Sequence, residues 1–152
     1  MEKSIIYQIF PRYWGDRAGK QKKGGTLDEN GCGKFSNIDT ESLDYFKSLG
    51  ITHLWLTGIV RHATGESTGG CRASSPDWVK GRAGSPYAIT DYYDVNPYLA
   101  DVPERRMEEF RDLVTRIHEA GLKVIIDFVP NHVARDYAAF TASHPAPTGM
   151  PA

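Results

Sequence analysis

The sequence has little cysteine, no excess of either charge and no long apolar run. Only Cys32 and Cys71 occur among 152 residues, which excludes a disulfide framework. Both lie in glycine-rich stretches, and two free thiols in a reducing compartment is the favoured reading over a single bridge. Lys and Arg number 18 against 19 Asp and Glu, for a net charge of −1. Overall charge therefore sets up neither a basic nucleic-acid stripe nor an acidic tail. No segment approaches the roughly 18 apolar residues needed to cross a membrane, and the start Met-Glu-Lys-Ser-Ile-Ile-Tyr has no secretory apolar region. These absences predict a cytoplasmic protein with no nucleic-acid and no membrane partner. Neither Gly-x-Gly-x-x-Gly nor a P-loop follows the first apolar run, so the common nucleotide fingerprints are missing.

What is present describes an ordinary globular chain. The hydrophobic set is 40% and charged residues are 24%, a balance that excludes disorder. Aromatics are plentiful, with three Trp and eight Tyr. Rings beyond core needs serve flat ligands such as sugars or bases, although core packing is their commoner use.

Ser4 to Phe10 is a short run of Ile and aromatics closed by Pro11, and predicts a buried strand. A long loop over 11–38 follows. Asp39 opens a helix: Ile38 before the cap and Leu43 after it have hydrophobic-staple spacing. Leu43, Phe46 and Leu49 mark its apolar face, and Gly50 stops it. Ile51 to Thr57 reads as the second strand, and 58–100 as a second long loop, dense in Gly, Ser and Pro. Asp101-x-x-Glu104 has capping-box spacing before a helix carrying Met107, Phe110, Leu113, Val114 and Ile117. Gly121 ends that helix, and Leu122 to Val129 is the third strand.

Strand, helix, strand, helix, strand argues a parallel sheet with right-handed crossovers. The connections are unequal. Each helix reaches its strand through little more than one glycine, while each strand reaches its helix through a long loop. Long loops are uncommon unless functional, and these leave the carboxyl ends of strands, where α/β folds build their sites. Three strands with two helices also leave apolar surface bare. The expected fold is the N-terminal portion of a (β/α)8 TIM barrel, incomplete, with 133–152 starting a long loop or inserted domain after the third strand. A small doubly wound domain is the alternative.

The sharpest chemical pattern is Asp127-Phe128-Val129-Pro130-Asn131-His132-Val133. Asp127 interrupts an apolar strand near its end, and a buried carboxylate needs a partner. Carboxylate, amide and imidazole on one rim suit a polyhydroxyl ligand or a hard cation. A polar strand end that caps its own loop is an equal rival. Asp94, Asp101 and Asp136 have flanks of turn and cap type. The cluster Lys20 to Lys23 reads as solvated loop, Trp78 as a loop anchor or remote platform, and the stretch with His62 and Cys71 lacks metal-ligand spacing.

The heptapeptide resembles the first signature region of the α-amylase family, glycoside hydrolase family 13, at the end of the third barrel strand. Ser4 to Arg12 resembles the family's first strand, and Gly50 to Leu56 its second helix-to-strand passage. Tyr87 with Asp91-Tyr92 resembles the loop between second strand and helix, and Gly121 to Asp127 the approach to the third strand. The likeness runs from about Ser4 to Tyr137 in ordered segments.

The resemblance implies α-glucan or malto-oligosaccharide substrates, hydrolysed or transferred by a retaining mechanism. It implies substrate binding by Tyr87, stacked on the sugar, by His132, bonded to a hydroxyl, and by Asp127, which orients neighbouring groups. No cofactor is required; the resemblance allows a calcium ion, as in many members, with a side-chain oxygen from Asn131, for which a loop-capping role is the rival reading. Ala88 departs from the pattern, because relatives that trim chain ends carry an acidic residue there. The family's catalytic carboxylates belong to later strands, so this chain by itself is expected to be inactive and to self-associate. The alternatives are a non-catalytic barrel relative acting as an interaction protein and the small doubly wound ligand-binding domain.

Overall fold

Each of the three apolar runs forms a strand, shorter than its pattern. The structure is a computed structural model and describes residues 3–16, 20 and 22–137. In chain order its elements are β1 (Ile6–Ile9), α1 (Leu27–Asn30), α2 (Thr40–Ser48), β2 (His53–Leu56), β3 (Val60–His62), β4 (Ile89–Val95), α3 (Arg106–Glu119) and β5 (Lys123–Ile126). Strands β1, β2 and β5 form a parallel sheet in the order β1-β2-β5. Among the described residues they do not close a barrel.

The sheet has two unlike faces because side chains alternate along a strand. Leu54 and Leu56 of β2 are fully buried with Ile9 of β1, and they share one core with Leu43 and Phe46 of α2 and Leu113 and Ile117 of α3. Both helices therefore cover the same face, unlike a doubly wound sheet, which is covered on both. The other face carries Ile6, Gln8, His53, Trp55, Lys123 and Ile125, aligned by the parallel register.

Helix α2 begins as its sequence predicts. The Asp39 carboxylate accepts the Ser42 backbone N–H at 2.9 Å, and Ile38 and Leu43 are both buried in the core. Leu49 corrects the expected face: it sits at the C-cap, past the last helical turn, and is 51% exposed. The Asp101-x-x-Glu104 box does not form. Pro103 begins a 3-10 turn over Pro103–Arg105, α3 starts only at Arg106, and Asp101 is left too far upstream to cap it. Glu109 satisfies this entry instead, accepting the backbone N–H groups of Asp101 at 2.7 Å and Val102 at 2.8 Å.

The two long loops hold structure of their own. Thr26 and Glu29 make a reciprocal capping box on α1, within 11–38. Within 58–100, β3 and β4 pair as an antiparallel hairpin with shifted register. Of the stretch 133–152, residues 138–152 lie outside the described residues. Cys32 and Cys71 are unbridged, and burial pushes the Cys32 thiol up from its ordinary pKa.

Candidate functional site

Parallel pairing puts the carboxyl ends of β1, β2 and β5 on one edge. Asp127 follows β5 directly. It falls on the face opposite the helices, because it is two residues past Ile125, which pairs with Trp55. The Trp55 indole N–H donates to the Asp127 carboxylate. That bond satisfies one carboxylate oxygen and fixes the side chain on the open face.

Tyr87 sits in the approach to β4. A turn closes around it, with the Ala88 N–H donating to the Ser85 carbonyl at 3.0 Å. The Ala88 carbonyl accepts the Ala63 N–H at 2.8 Å, which ties the turn to the end of β3. Tyr87 is 45% exposed, so it offers surface to a ligand.

Asn131 and His132 are exposed on the segment that leaves Asp127. The Asn131 amide nitrogen donates to Nδ1 of His132 at 3.3 Å. An accepting Nδ1 places the imidazole hydrogen on Nε2, where it can donate to a hydroxyl. Calcium takes 6–8 oxygens, and Asn131 offers one amide oxygen. Among the described residues no group of three or more His, Cys, Asp or Glu side chains could hold a metal ion. Asn131 is the candidate calcium oxygen named from the sequence, and no such cluster stands with it among the described residues.

The two rim segments are joined through their backbones. The Ala134 N–H donates to the Ile89 carbonyl at 2.8 Å. The Tyr92 hydroxyl donates to the Val129 carbonyl, and its ring packs 5.5 Å from Phe128 and 5.9 Å from Tyr137. Tyr87, Asp127 and His132 thus stand on one rim, but no hydrogen bond links their side chains directly. Sequence reasoning missed Trp55 and Tyr92 as supports. Tyr92 lay in the aromatic segment singled out beside Tyr87. Trp55 was visible as the polar-edged ring alternating with Leu54 and Leu56.

Behind the hairpin lies an ion-pair cluster. Asp94 accepts from Nε and Nη2 of Arg106 at 2.7 and 2.8 Å and from Nη1 of Arg61 at 2.9 Å. Burial works to raise the Asp94 carboxyl, but Arg106 and Arg61 outweigh it and hold its pKa below the ordinary value. The cluster fastens β4 to α3 and to β3, and both its acidic groups, Asp91 and Asp94, are occupied by Arg61.

The family model described as Alpha amylase, catalytic domain matches residues 8–149. The chain belongs to the α-amylase family. Its three parallel strands are part of the TIM barrel on which that catalytic domain is built. An amino acid transporter heavy chain of Mus musculus, SLC3A1, is 32% identical over 138 residues, covering 91% of this chain and 15% of that protein. The trehalose-6-phosphate hydrolase of Bacillus subtilis is 32% identical over 139 residues, covering 91% of this chain and 19% of that protein. An α-amylase structure from Lactobacillus plantarum superposes with a TM-score of 0.62 at 29% identity, over 90% of this chain and 25% of that one. The chain thus spans under a fifth of these two curated relatives.

Proposed function

We infer that the protein to which this α-amylase-family chain belongs hydrolyses or transfers α-glucosidic bonds of starch-like or malto-oligosaccharide substrates. In this reading the chain supplies a wall that positions the sugar. Tyr87 stacks on an apolar ring face, His132 donates from Nε2 to a hydroxyl, and Asp127, held by Trp55, orients the groups beside it. The observation that carries the reading is the shared rim, where the Ala134 to Ile89 hydrogen bond joins the Tyr87 turn to the Asp127–His132 segment.

A retaining glycosidase needs two carboxyl groups about 5–5.5 Å apart, one as nucleophile and one as acid and base. Asp91 and Asp94 are bound to arginines, and Asp127 to an indole. In this reading the reacting carboxylates come from the later strands, as the family resemblance implies.

The test is turnover of starch and maltotetraose by the full-length protein, with the first-formed anomer followed by NMR. The expected result is release of α-configured product, a higher KM for Tyr87→Ala and for His132→Ala, and no turnover by residues 1–152 alone. Similarity to the transporter heavy chain favours a second reading, a non-catalytic barrel acting through protein association. That reading predicts no turnover and no maltose binding by the full-length protein.

A further inference from the structure

Arg12 is a buried cation just past β1, and no carboxylate pairs with it among its described hydrogen-bond partners. Its guanidinium Nη2 donates to the Ala83 carbonyl at 2.8 Å and to Nε2 of His62 at 2.7 Å, and Nη1 donates to the Gly84 carbonyl at 3.3 Å. Its Cζ lies 5.3 Å from the Phe10 ring centroid. A charge so placed is tolerated only where dipoles and an aromatic face replace water. The planar fork reaches the three acceptors from two nitrogens fixed in one plane, a geometry that the single ammonium nitrogen of a lysine lacks.

His62, the last residue of β3, is equally committed. Its Nε2 also accepts the Asn96 amide at 3.2 Å, and its Nδ1–H donates to the Val60 carbonyl at 3.0 Å. Asn96 is oriented in turn, since its side-chain oxygen accepts the Tyr98 N–H at 3.0 Å. The imidazole is therefore neutral, with its hydrogen on Nδ1.

The placement of these bonds brackets Tyr87. The incoming leg of its turn, Ala83–Gly84, is held by Arg12. The outgoing leg is held by the hairpin at His62, which pairs with Ile89, and by the next residue, Ala63, which bonds to Ala88. The Arg12–His62 contact joins the two legs across 50 residues of chain. We propose that Arg12 and His62 are positioning residues that set the height and tilt of the Tyr87 ring over the sugar. This rests on the reading of Tyr87 as the sugar platform.

The experiment measures kcat and KM on maltotetraose in the full-length protein, with the melting temperature of each variant. Tyr87→Ala is expected to raise KM about tenfold with kcat changed much less, the pattern of lost uniform binding. Arg12→Lys and His62→Leu are expected to raise KM in the same way, by roughly three- to tenfold. His62→Gln, which keeps an acceptor for Arg12, should restore the wild-type KM. Combined with Tyr87→Ala, neither substitution should raise KM further, because both act through that ring.

A purely structural role predicts lower melting temperatures with KM unchanged, or KM effects that multiply with Tyr87→Ala. Either result overturns the proposal while leaving Tyr87 as the platform. An unchanged KM in Tyr87→Ala overturns the platform reading, and the proposal with it. Should His62→Leu fail to fold, Arg12→Lys decides alone.

Discussion

The backbone N–H of Ala134 donates to the carbonyl of Ile89 at 2.8 Å, and this bond joins the His132 segment to the Tyr87 turn. Ala134 is buried two residues past His132, and Ile89 is buried two residues past Tyr87. Tyr92 braces the same junction from its hydroxyl to the Val129 carbonyl. Tyr92→Phe keeps the ring contacts and removes that one bond. The expected loss is about 1 kcal/mol of local stability, or a roughly fivefold faster exchange of the Ala134 amide. Unchanged exchange would show that Tyr92 braces nothing there.

His62 should impose an acid limit on stability. Burial lowers its pKa from 6.5 to about 4, the Arg12 charge adds to the lowering, and the hydrogen bond to Val60 only partly opposes it. The unfolded chain then binds a proton that the folded chain refuses between those values. Stability is whole above about pH 6.5, falls as pH drops toward 4, and levels off below it, with a slope of at most about 1.4 kcal/mol per pH unit. Urea midpoints of the full-length protein across that range should show the slope, and His62→Gln should flatten it. An equal slope in both proteins would assign the proton elsewhere.

The legible parts of the fold are those whose causes are local. Asp39, Leu43, Phe46 and Gly50 delimit α2 by cap, stripe and stop, and Leu54 with Leu56 alternates like a half-buried strand. The β3–β4 hairpin was hidden because its charged residues are inside: Arg61, Asp91 and Asp94 neutralise one another across strands and break the apolar alternation. Glu109 took the role of Asp101 from a full turn inside α3, a distance that no capping pattern covers. At the candidate site, Tyr87, Asp127 and His132 were named through the family resemblance. Their supports, Trp55, Tyr92 and the Arg12–His62 pair, are made by contacts 37 to 72 residues apart, which one sequence does not display.

Asp94→Ala should be costly. It strips the counter-charge from Arg106 and leaves Arg61 only the longer pair with Asp91; the two arginine side chains are 18% and 22% exposed. Removing one partner of a buried ion pair costs about 3–5 kcal/mol, and the residual exposure of the arginines brings the expectation here to roughly 2–3 kcal/mol. Glu108→Ala, which breaks the fully exposed pair with Arg105, should leave the chemical denaturation midpoint unchanged. Equal effects of the two would mean that Asp94 is not buried as described.

Gly81 and Gly84 share a left-handed φ of +67° and should respond differently to alanine. A Cβ on Gly81 meets nothing within 4 Å, whereas one on Gly84 would lie 1.8 Å from the Ala63 carbonyl oxygen. Gly81→Ala therefore carries only the backbone cost, about 1 kcal/mol. Gly84→Ala must push β3 away from the Tyr87 turn, and is expected to cost more than about 3 kcal/mol. Thermal denaturation of both variants measures the difference, and a Gly84→Ala protein as stable as Gly81→Ala would contradict the close packing of the two segments.

Residues 1–152 in isolation should self-associate. Among the described residues β1 and β5 each pair only with β2, so both offer a free strand edge. The sheet face away from the helices exposes Ile6 at 54%, and the rim exposes Phe128 at 73%, an apolar surface of the kind that seeks a partner. Sedimentation of the isolated chain over a concentration series should give masses rising above 16.9 kDa. Ile6→Lys places a charge on an edge strand and should shift the series toward monomer. A mass fixed at the monomer value at every concentration would mean that these edges and this face are tolerated in water, and that the sheet needs nothing to cover them.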